Sequence, residues 1–234
     1  ARWAFPSRKI FVTEKTFTHL EDTFEIVDLN AVTQEDGSRF YETPKGIKYP
    51  SVTTVVGHAK REFFKEWRAK NAEESKRILA KGTKVHQLVE DYLNNEKIEC
   101  KEHYRALEQF HALKPLLHNI DNIYMQEAAL WSDTLMLAGR VDCVGEYNGI
   151  PSIIDFKTSK RLKSKDQIED YFCQATAYAI MWQEMTGMPI KQIAILITTD
   201  YGEIQEYVED PVNYVGVLKE KIDLYFDELI TSDQ

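Results

Sequence analysis

LAGRVDCVGEYNGIPSIIDFKTSK, residues 137–160, is the stretch that decides the fold. Its two halves, 137–147 and 150–158, contain many aliphatic residues and have the length of β-strands. The Asn148-Gly149 pair between them is a strong signal for a tight hairpin turn. The stretch therefore predicts a hairpin of two antiparallel strands.

Three ionisable side chains lie on these strands. Asp155 and Lys157 are two residues apart and project from one face, and strand pairing can bring Asp142 alongside them. Carboxylates are ligands that Mg²⁺ and Mn²⁺ prefer, and a lysine can neutralise charge on a phosphate. The pattern favours metal-assisted phosphodiester cleavage. A solvated surface hairpin is the alternative, and the apolar run that ends at Asp155 argues against it.

A third motif follows on a predicted helix, where Gln174 and Tyr178 are four residues apart and share a face. GRVD, IIDFKTSK and QATAY, in this order, resemble the RecB-like branch of the PD-(D/E)xK nucleases, which includes mitochondrial genome maintenance exonucleases and related phage nucleases. The resemblance implies a restriction-endonuclease-like core and Mg²⁺ or Mn²⁺ as cofactor. It makes Asp142 and Asp155 metal ligands, Lys157 catalytic, and Gln174 and Tyr178 positioning residues.

The resemblance extends to further residues. G-T-x-x-H, which ends at His86, resembles the first motif of the family, where the histidine is a metal ligand. An imidazole beside carboxylates shifts the preference toward Mn²⁺ without excluding Mg²⁺. The backbone carbonyl of Phe156 is a further expected ligand, and Arg140 is expected to pair with a carboxylate or a phosphate. Glu127 resembles an acid that related exonucleases place near the metals, although a solvated strand glutamate is an equal alternative.

Basic and aromatic residues predict a nucleic-acid interface. Residues 58–95 have helical spacing, and this most basic part of the chain is either a cover that tracks a phosphate backbone or an amphipathic helix with a solvated face. Ser51 and Thr53 could contact a phosphate, or they could start a helix. The remaining expected DNA contacts are Lys60, Arg61, Phe63, Phe64, Lys65, Trp67, Arg68, Lys160, Arg161, Lys163 and Lys165.

Composition limits the other classes of function. The net charge of −9 argues against a general nucleic-acid coat protein. Three scattered cysteines favour a reducing, intracellular compartment, the host cytoplasm if the protein is viral. Some RecB-like nucleases hold an iron–sulfur cluster with four cysteines, and three cannot supply those ligands, so no iron–sulfur cluster is expected. No apolar run has the length of a membrane span, and no mitochondrial targeting pattern is evident.

The expected architecture is a single α/β domain over 1–234, with a mixed central β-sheet flanked by helices. A small N-terminal β piece occupies 1–57, a helical cover and the first-motif helix occupy 58–120, and the nuclease core occupies 121–234. Three local expectations go with it. Residues 23–29 form a strand, Thr83 caps the helix that carries His86, and Asp166 caps the helix that carries Gln174.

The predicted function is metal-dependent DNA cleavage by an exonuclease of replication, repair or recombination that acts on single-stranded DNA with a free end. Two alternatives stay open. One is a double-strand-end or structure-specific endonuclease of the same superfamily. The other is a nucleic-acid-binding module that has lost catalysis.

Overall fold

A small antiparallel sheet begins the computed structural model, which describes residues 15–20 and 23–232. Its three strands, in spatial order, are β1 (Asn30–Thr33), β2 (Arg39–Glu42) and β3 (Lys48–Pro50). The turns between them lie at 34–38 and 43–47, as the sequence predicts. The expected strand at 23–29 is wrong, because Phe24 packs its ring against Trp182 at 5.0 Å and the backbone of 24–29 joins no sheet.

Helices follow this sheet. They are α1 (Val52–Val56), α2 (Arg61–Lys70), α3 (Ala72–Leu93), α4 (Tyr104–Leu117), α5 (Glu169–Thr186) and α6 (Val215–Ser232). The predicted helical insertion is therefore present as α2 and α3. Thr83 does not cap a helix, because α3 runs unbroken through Gly82 and Thr83. Asp166 does not cap α5 either, since the side chain of Ser164 forms the capping box of a short 3₁₀ turn ahead of it.

A five-stranded mixed sheet forms the centre of the fold. Its strands, in spatial and chain order, are β4 (Ile120–Ser132), β5 (Leu137–Tyr147), β6 (Ile150–Ser159), β7 (Gln192–Thr199) and β8 (Ile204–Glu209). Only the β6–β7 pair is parallel, and α5 makes the crossover that a parallel pair needs. The mixed sheet with flanking helices confirms the predicted fold class.

The predicted hairpin is the link between β5 and β6. Tyr147 pairs with Ile150, and both turn residues, Asn148 and Gly149, have positive φ angles of 52° and 78°. A two-residue turn with two positive φ angles matches the twist of the flanking strands. The turn therefore fixes the register that places Asp142 and Asp155 on neighbouring strands.

Both faces of the central sheet are covered. Alternate residues of β7 point to opposite cores: Ile193 and Ile195 pack with α1, α5 and α6, whereas Ala194 and Leu196 pack with α3 and α4. A strand that is buried on both faces reads as a continuous apolar run, which is how 193–197 appears in the sequence. The sheet thus holds α3 and α5 on opposite sides, and residues of the two helices contact the inner strands β5 and β6.

Candidate active site

Asp142 on β5 lies between a helix and the next strand. Its Oδ1 is 3.5 Å from Nδ1 of His86, which α3 brings to the sheet. Its Oδ2 accepts a hydrogen bond of 2.8 Å from the backbone N–H of Phe156 on β6. The two contacts fix the carboxylate at the junction of α3 and the hairpin. The histidine and the first acid of the sequence prediction are therefore neighbours.

Lys157 on β6 forms the second part of the site. Its Nζ lies 2.9 Å and 2.8 Å from the two carboxylate oxygens of the buried Asp155, and 3.2 Å from Oε1 of Gln174 on α5. Gln174 in turn donates from Nε2 to the hydroxyl of Tyr178 at 3.4 Å. The D-x-K and Q-x-x-x-Y motifs are thus joined by one chain of hydrogen bonds.

Three residues place possible metal-ligand atoms close together. One ligand atom each from His86, Glu127 and Asp142 lies within 4.8 Å of the others, and all three residues are partly exposed. A set of one imidazole nitrogen and two carboxylate oxygens fits Mn²⁺ or Mg²⁺. Asp155 is not part of this group, and its carboxylate is ion-paired with Lys157. Among the described residues, the cluster therefore contains Glu127 and Asp142 but not Asp155.

The ionisable groups of the site shift one another's pKa. Burial raises the pKa of Glu127 to about 7 and that of Asp155 to about 6. Burial opposes the charged form of Lys157, but the carboxylates of Asp155 and Asp142 outweigh it and raise its pKa. Burial also opposes the charges on His86 and Asp142, yet each favours the other, so the pKa of His86 rises and that of Asp142 falls. Clustered shifts of this kind are typical of functional sites.

The match to a known family is extensive. The model of the PD-(D/E)XK nuclease superfamily matches residues 60–222, which include every group described above. The chain belongs to this superfamily. The resemblance seen in the three sequence motifs is confirmed at that level, and the protein is a nuclease by homology.

Curated relatives of this nuclease are exonucleases. Mitochondrial genome maintenance exonuclease 1 from Mus musculus is 27% identical over 128 residues, and the same protein from Homo sapiens is 26% identical over 129 residues. Each match covers 49% of this chain and 38% of the relative, so the chain spans less than half the length of these relatives. A solved structure of a candidate exonuclease from Eubacterium rectale aligns with a TM-score of 0.45 and 14% identity, over 65% of this chain and 66% of that one.

A groove of about 570 Å³ gives access to the nuclease site. Its walls include three residues that the sequence analysis missed: Arg39 and Tyr41 on β2, and Gly139 on β5. A β-carbon at Gly139 would lie 2.8 Å from the hydroxyl of Tyr178, so only glycine allows the tyrosine to pack there. Tyr171 was also missed, and Lys157 Nζ lies 5.1 Å from the centre of its ring. The signal for Tyr171 is its helical spacing, three residues before Gln174 and seven before Tyr178.

The helical cover of the nuclease keeps its aromatic residues on the outside. None of the residues of α2 is buried, Phe63 and Phe64 are 67% and 45% exposed, and Trp67 is half-buried. The two phenylalanine rings are therefore not core residues. Leu79 on α3 is also exposed, and it lines the same groove as His86.

Many of the predicted DNA-contacting cations have acidic partners. Lys60 binds Asp170 at 2.6 Å, and in the loop after β6 Lys165 binds Glu209 at 2.5 Å. Three further pairs are looser, Arg61 with Asp36, Lys65 with Glu62, and Lys160 with Glu74. The basic segments are thus partly neutralised within the protein.

The two hydroxyl residues at the start of α1 have different positions. Ser51 is buried, and its Oγ accepts a hydrogen bond of 3.1 Å from the backbone N–H of Thr54, so it caps the helix. Thr53 is exposed and lines the groove together with Ser51. Contact of either residue with a phosphate stays a prediction.

Cys100, Cys143 and Cys173 are free thiols, and the last two are buried. Over residues 15–20 and 23–232, none of the helices combines the length and the apolar character that crossing a lipid bilayer requires.

Proposed function

We propose that this nuclease is a metal-dependent deoxyribonuclease that degrades single-stranded DNA from a free end, in replication, repair or recombination. The observation that carries the proposal is the position of His86 and Asp142, which line one groove together with α3, next to the Asp155–Lys157 ion pair on β6. Free thiols fit a reducing, intracellular compartment. The exonuclease names of the curated relatives agree with this activity.

The metal would be held by residues from α3 and from the neighbouring strands β4, β5 and β6. His86, Glu127 and Asp142 already converge, and Asp155 with the carbonyl of Phe156 lies on the adjoining strand. The donor set is hard enough for Mg²⁺, and its imidazole favours Mn²⁺. A divalent ion bound there would lower the pKa of a coordinated water and polarise a phosphoryl oxygen. Asp155, which is ion-paired with Lys157, would supply a further carboxylate to this ion.

Lys157 acts as a cation in this proposal. Its pKa is raised above the ordinary lysine value by Asp155 and Asp142, so it keeps its proton at neutral pH. A fixed ammonium group next to the scissile phosphate stabilises the negative charge that develops as the phosphodiester bond breaks. Gln174, held by Tyr178, restricts the direction in which the ammonium group points.

The helical cover, α2 and α3, accounts for the proposed preference for flexible single-stranded DNA. Helix α3 carries His86, and Gly82 of the same helix comes close to β6, where its β-carbon position is 3.5 Å from Oγ1 of Thr158. The small sheet also lines the groove, through Arg39 and Tyr41, and we infer that this enclosure excludes a stiff duplex. A single strand can bend into the groove and stack its bases on Phe63 or Phe64, with roughly 1–3 kcal/mol per base.

A comparison of two substrates tests the proposal. We expect the protein with Mn²⁺ or Mg²⁺ to shorten an end-labelled linear single strand and to leave closed circular single-stranded DNA of the same sequence intact. Lys157→Ala serves as the control for contaminating nucleases. Equal cleavage of the circle would show an open endonuclease cleft. Cleavage of neither substrate by a folded protein would favour a binding module without catalysis.

A further inference from the structure

Glu127 has a backbone conformation that strands do not normally contain. Its φ is +48°, in the left-handed region, although it lies inside the 13-residue strand β4. Three of the other four non-glycine residues with positive φ in the described chain are asparagines, which tolerate this region, and the fourth, Met136, lies in a turn. A glutamate there is strained, and strain of this kind persists only where the surroundings enforce it.

The strained backbone changes the side of the sheet that Glu127 faces. Successive side chains of a regular strand alternate between faces. Around Glu127 this alternation is interrupted. Met125 and Ala128, three residues apart, both pack on the α5 side. Between them Gln126 donates to Asn94 at the end of α3, and Glu127 approaches His86 of the same helix. The left-handed residue thus turns two consecutive side chains toward α3.

Arg140 is the residue that contacts this strained backbone. It pairs with Ala129 across the β4–β5 ladder, so its side chain lies on the same face as Glu127 and Asp142. Its Nη1 donates to the backbone carbonyl of Glu127, and its Nη2 donates to the carboxylate of Asp28. Arginine can make both contacts because its donors form a rigid fork, whereas lysine offers a single nitrogen.

We propose that Arg140 is a positioning residue for the metal site: its guanidinium bridges Asp28 and the backbone carbonyl of Glu127, and holds Glu127 in the conformation that aims its carboxylate at His86 and Asp142. The inference rests on the metal site of the proposed function. It gives Arg140 a task that involves neither a phosphate nor a direct contact with the metal.

The test measures Mn²⁺ binding to the metal-free protein by calorimetry, independently of cleavage. Arg140→Lys keeps the charge but loses the bridge, and we expect Mn²⁺ affinity to fall about tenfold, as for other residues that orient metal ligands. A purely electrostatic role predicts no change. Arg39→Lys is the matched control, because Arg39 lines the same groove and contacts the ring of Tyr41 instead.

A second arm asks whether the effect passes through Glu127. On a Glu127→Gln background, which removes the carboxylate, Arg140→Lys should cause no further loss of affinity. A second tenfold loss on that background would overturn the inference, as would wild-type affinity in Arg140→Lys itself. If the unaltered protein binds no Mn²⁺, the proposed metal site fails and this inference fails with it.

A third arm leaves Arg140 untouched and measures the strain alone. Glu127→Gly and Glu127→Gln both lose the carboxylate, but only glycine adopts a positive φ without cost. We expect the glycine variant to melt about 2–4 °C above the glutamine variant. Equal melting temperatures would show that Glu127 is not held under strain, and the positioning role would be rejected.

Discussion

Lys157 and Asp155 form a buried pair in which each residue depends on the other. Asp155 is almost completely buried, and Lys157 is its nearest cation. We predict that Lys157→Ala and Asp155→Asn each slow DNA cleavage at least about a hundredfold, because a lost charge beside the reacting phosphate costs about 2–4 kcal/mol of barrier. Steady-state cleavage of a labelled strand measures this, and circular dichroism checks the fold.

Lys191→Ala is the control, since this exposed lysine precedes β7 and does not line the groove. Near wild-type turnover in either site variant would contradict the assignment.

Glu127 and Asp155 make metal binding depend on pH. Their pKa values of about 7 and about 6 lie above those of ordinary carboxyl groups, so both hold a proton at pH values where free acids are ionised. A proton must leave before a carboxylate binds a cation. Lowering the pH from about 8 to about 6 should therefore weaken Mn²⁺ binding, with proton release at the lower pH.

Calorimetry in two buffers of different ionisation enthalpy counts the released protons, and Glu127→Gln should release fewer. The same proton count in both proteins would show that Glu127 does not bind the ion.

The chemistry-bearing residues were predictable from the sequence to different degrees. His86, Asp142 and Lys157 belong to spaced motifs, and the structure does bring them together. Glu127 was expected near the metals only by resemblance, with a solvated glutamate as an equal alternative, because its approach to His86 depends on an irregular backbone inside a strand. Local propensity gives no sign of that irregularity. Gly139 was equally hidden, since its role is defined only by Tyr178, which is distant in sequence.

At the scale of secondary-structure elements, the long helix α3 shows why the ends of an element are harder to predict than whether it is a helix or a strand. Gly82 in a helix interior costs about 1 kcal/mol relative to alanine, which made Thr83 look like the start of a new helix. A β-carbon at Gly82 would make an ordinary contact of 3.5 Å with Oγ1 of Thr158, so packing at this place does not require glycine. The strand predicted at 23–29 is wrong for a different reason. The apolar ring of Phe24 packs against the core although its backbone pairs with no strand.

Helix α2 supports a prediction about binding. Phe63 and Phe64 are exposed and in edge contact, with ring centres 5.4 Å apart. We expect the Phe63→Ala, Phe64→Ala double variant to bind single-stranded DNA about tenfold or more weakly, since one stacked base is worth roughly 1–3 kcal/mol. Fluorescence anisotropy with a labelled oligonucleotide measures it in the cleavage-deficient Asp155→Asn background.

Leu224→Ala is the matched control, because Leu224 is an exposed apolar residue of α6. Unchanged affinity in the phenylalanine variant would show that the bases do not reach α2.

For the whole molecule, the distribution of charge predicts a weak salt dependence. The net charge is −9, and Lys60, Lys160 and Lys165 have acidic partners within the protein. Such cations release few counterions from DNA, because they are already neutralised. We expect log Kd for single-stranded DNA to rise with log salt concentration at a slope that corresponds to about two to four phosphates, or about 1.4–2.8. A slope typical of eight or more phosphates would require these pairs to open on binding.

The three-stranded sheet has a consequence for how this nuclease could be divided. The part that matches the superfamily model begins at residue 60, whereas Arg39, Tyr41, Ser51 and Thr53 ahead of it form a wall of the groove. Ser51 also bridges to Ala138 of β5, and Tyr41 and Tyr49 pack with Ala129 and Ala138. Transplanting residues 60–222 alone into another protein would carry over the inherited motifs without a complete enclosure for the substrate. The region that matches the superfamily and the set of residues that form the groove therefore have different borders in this chain.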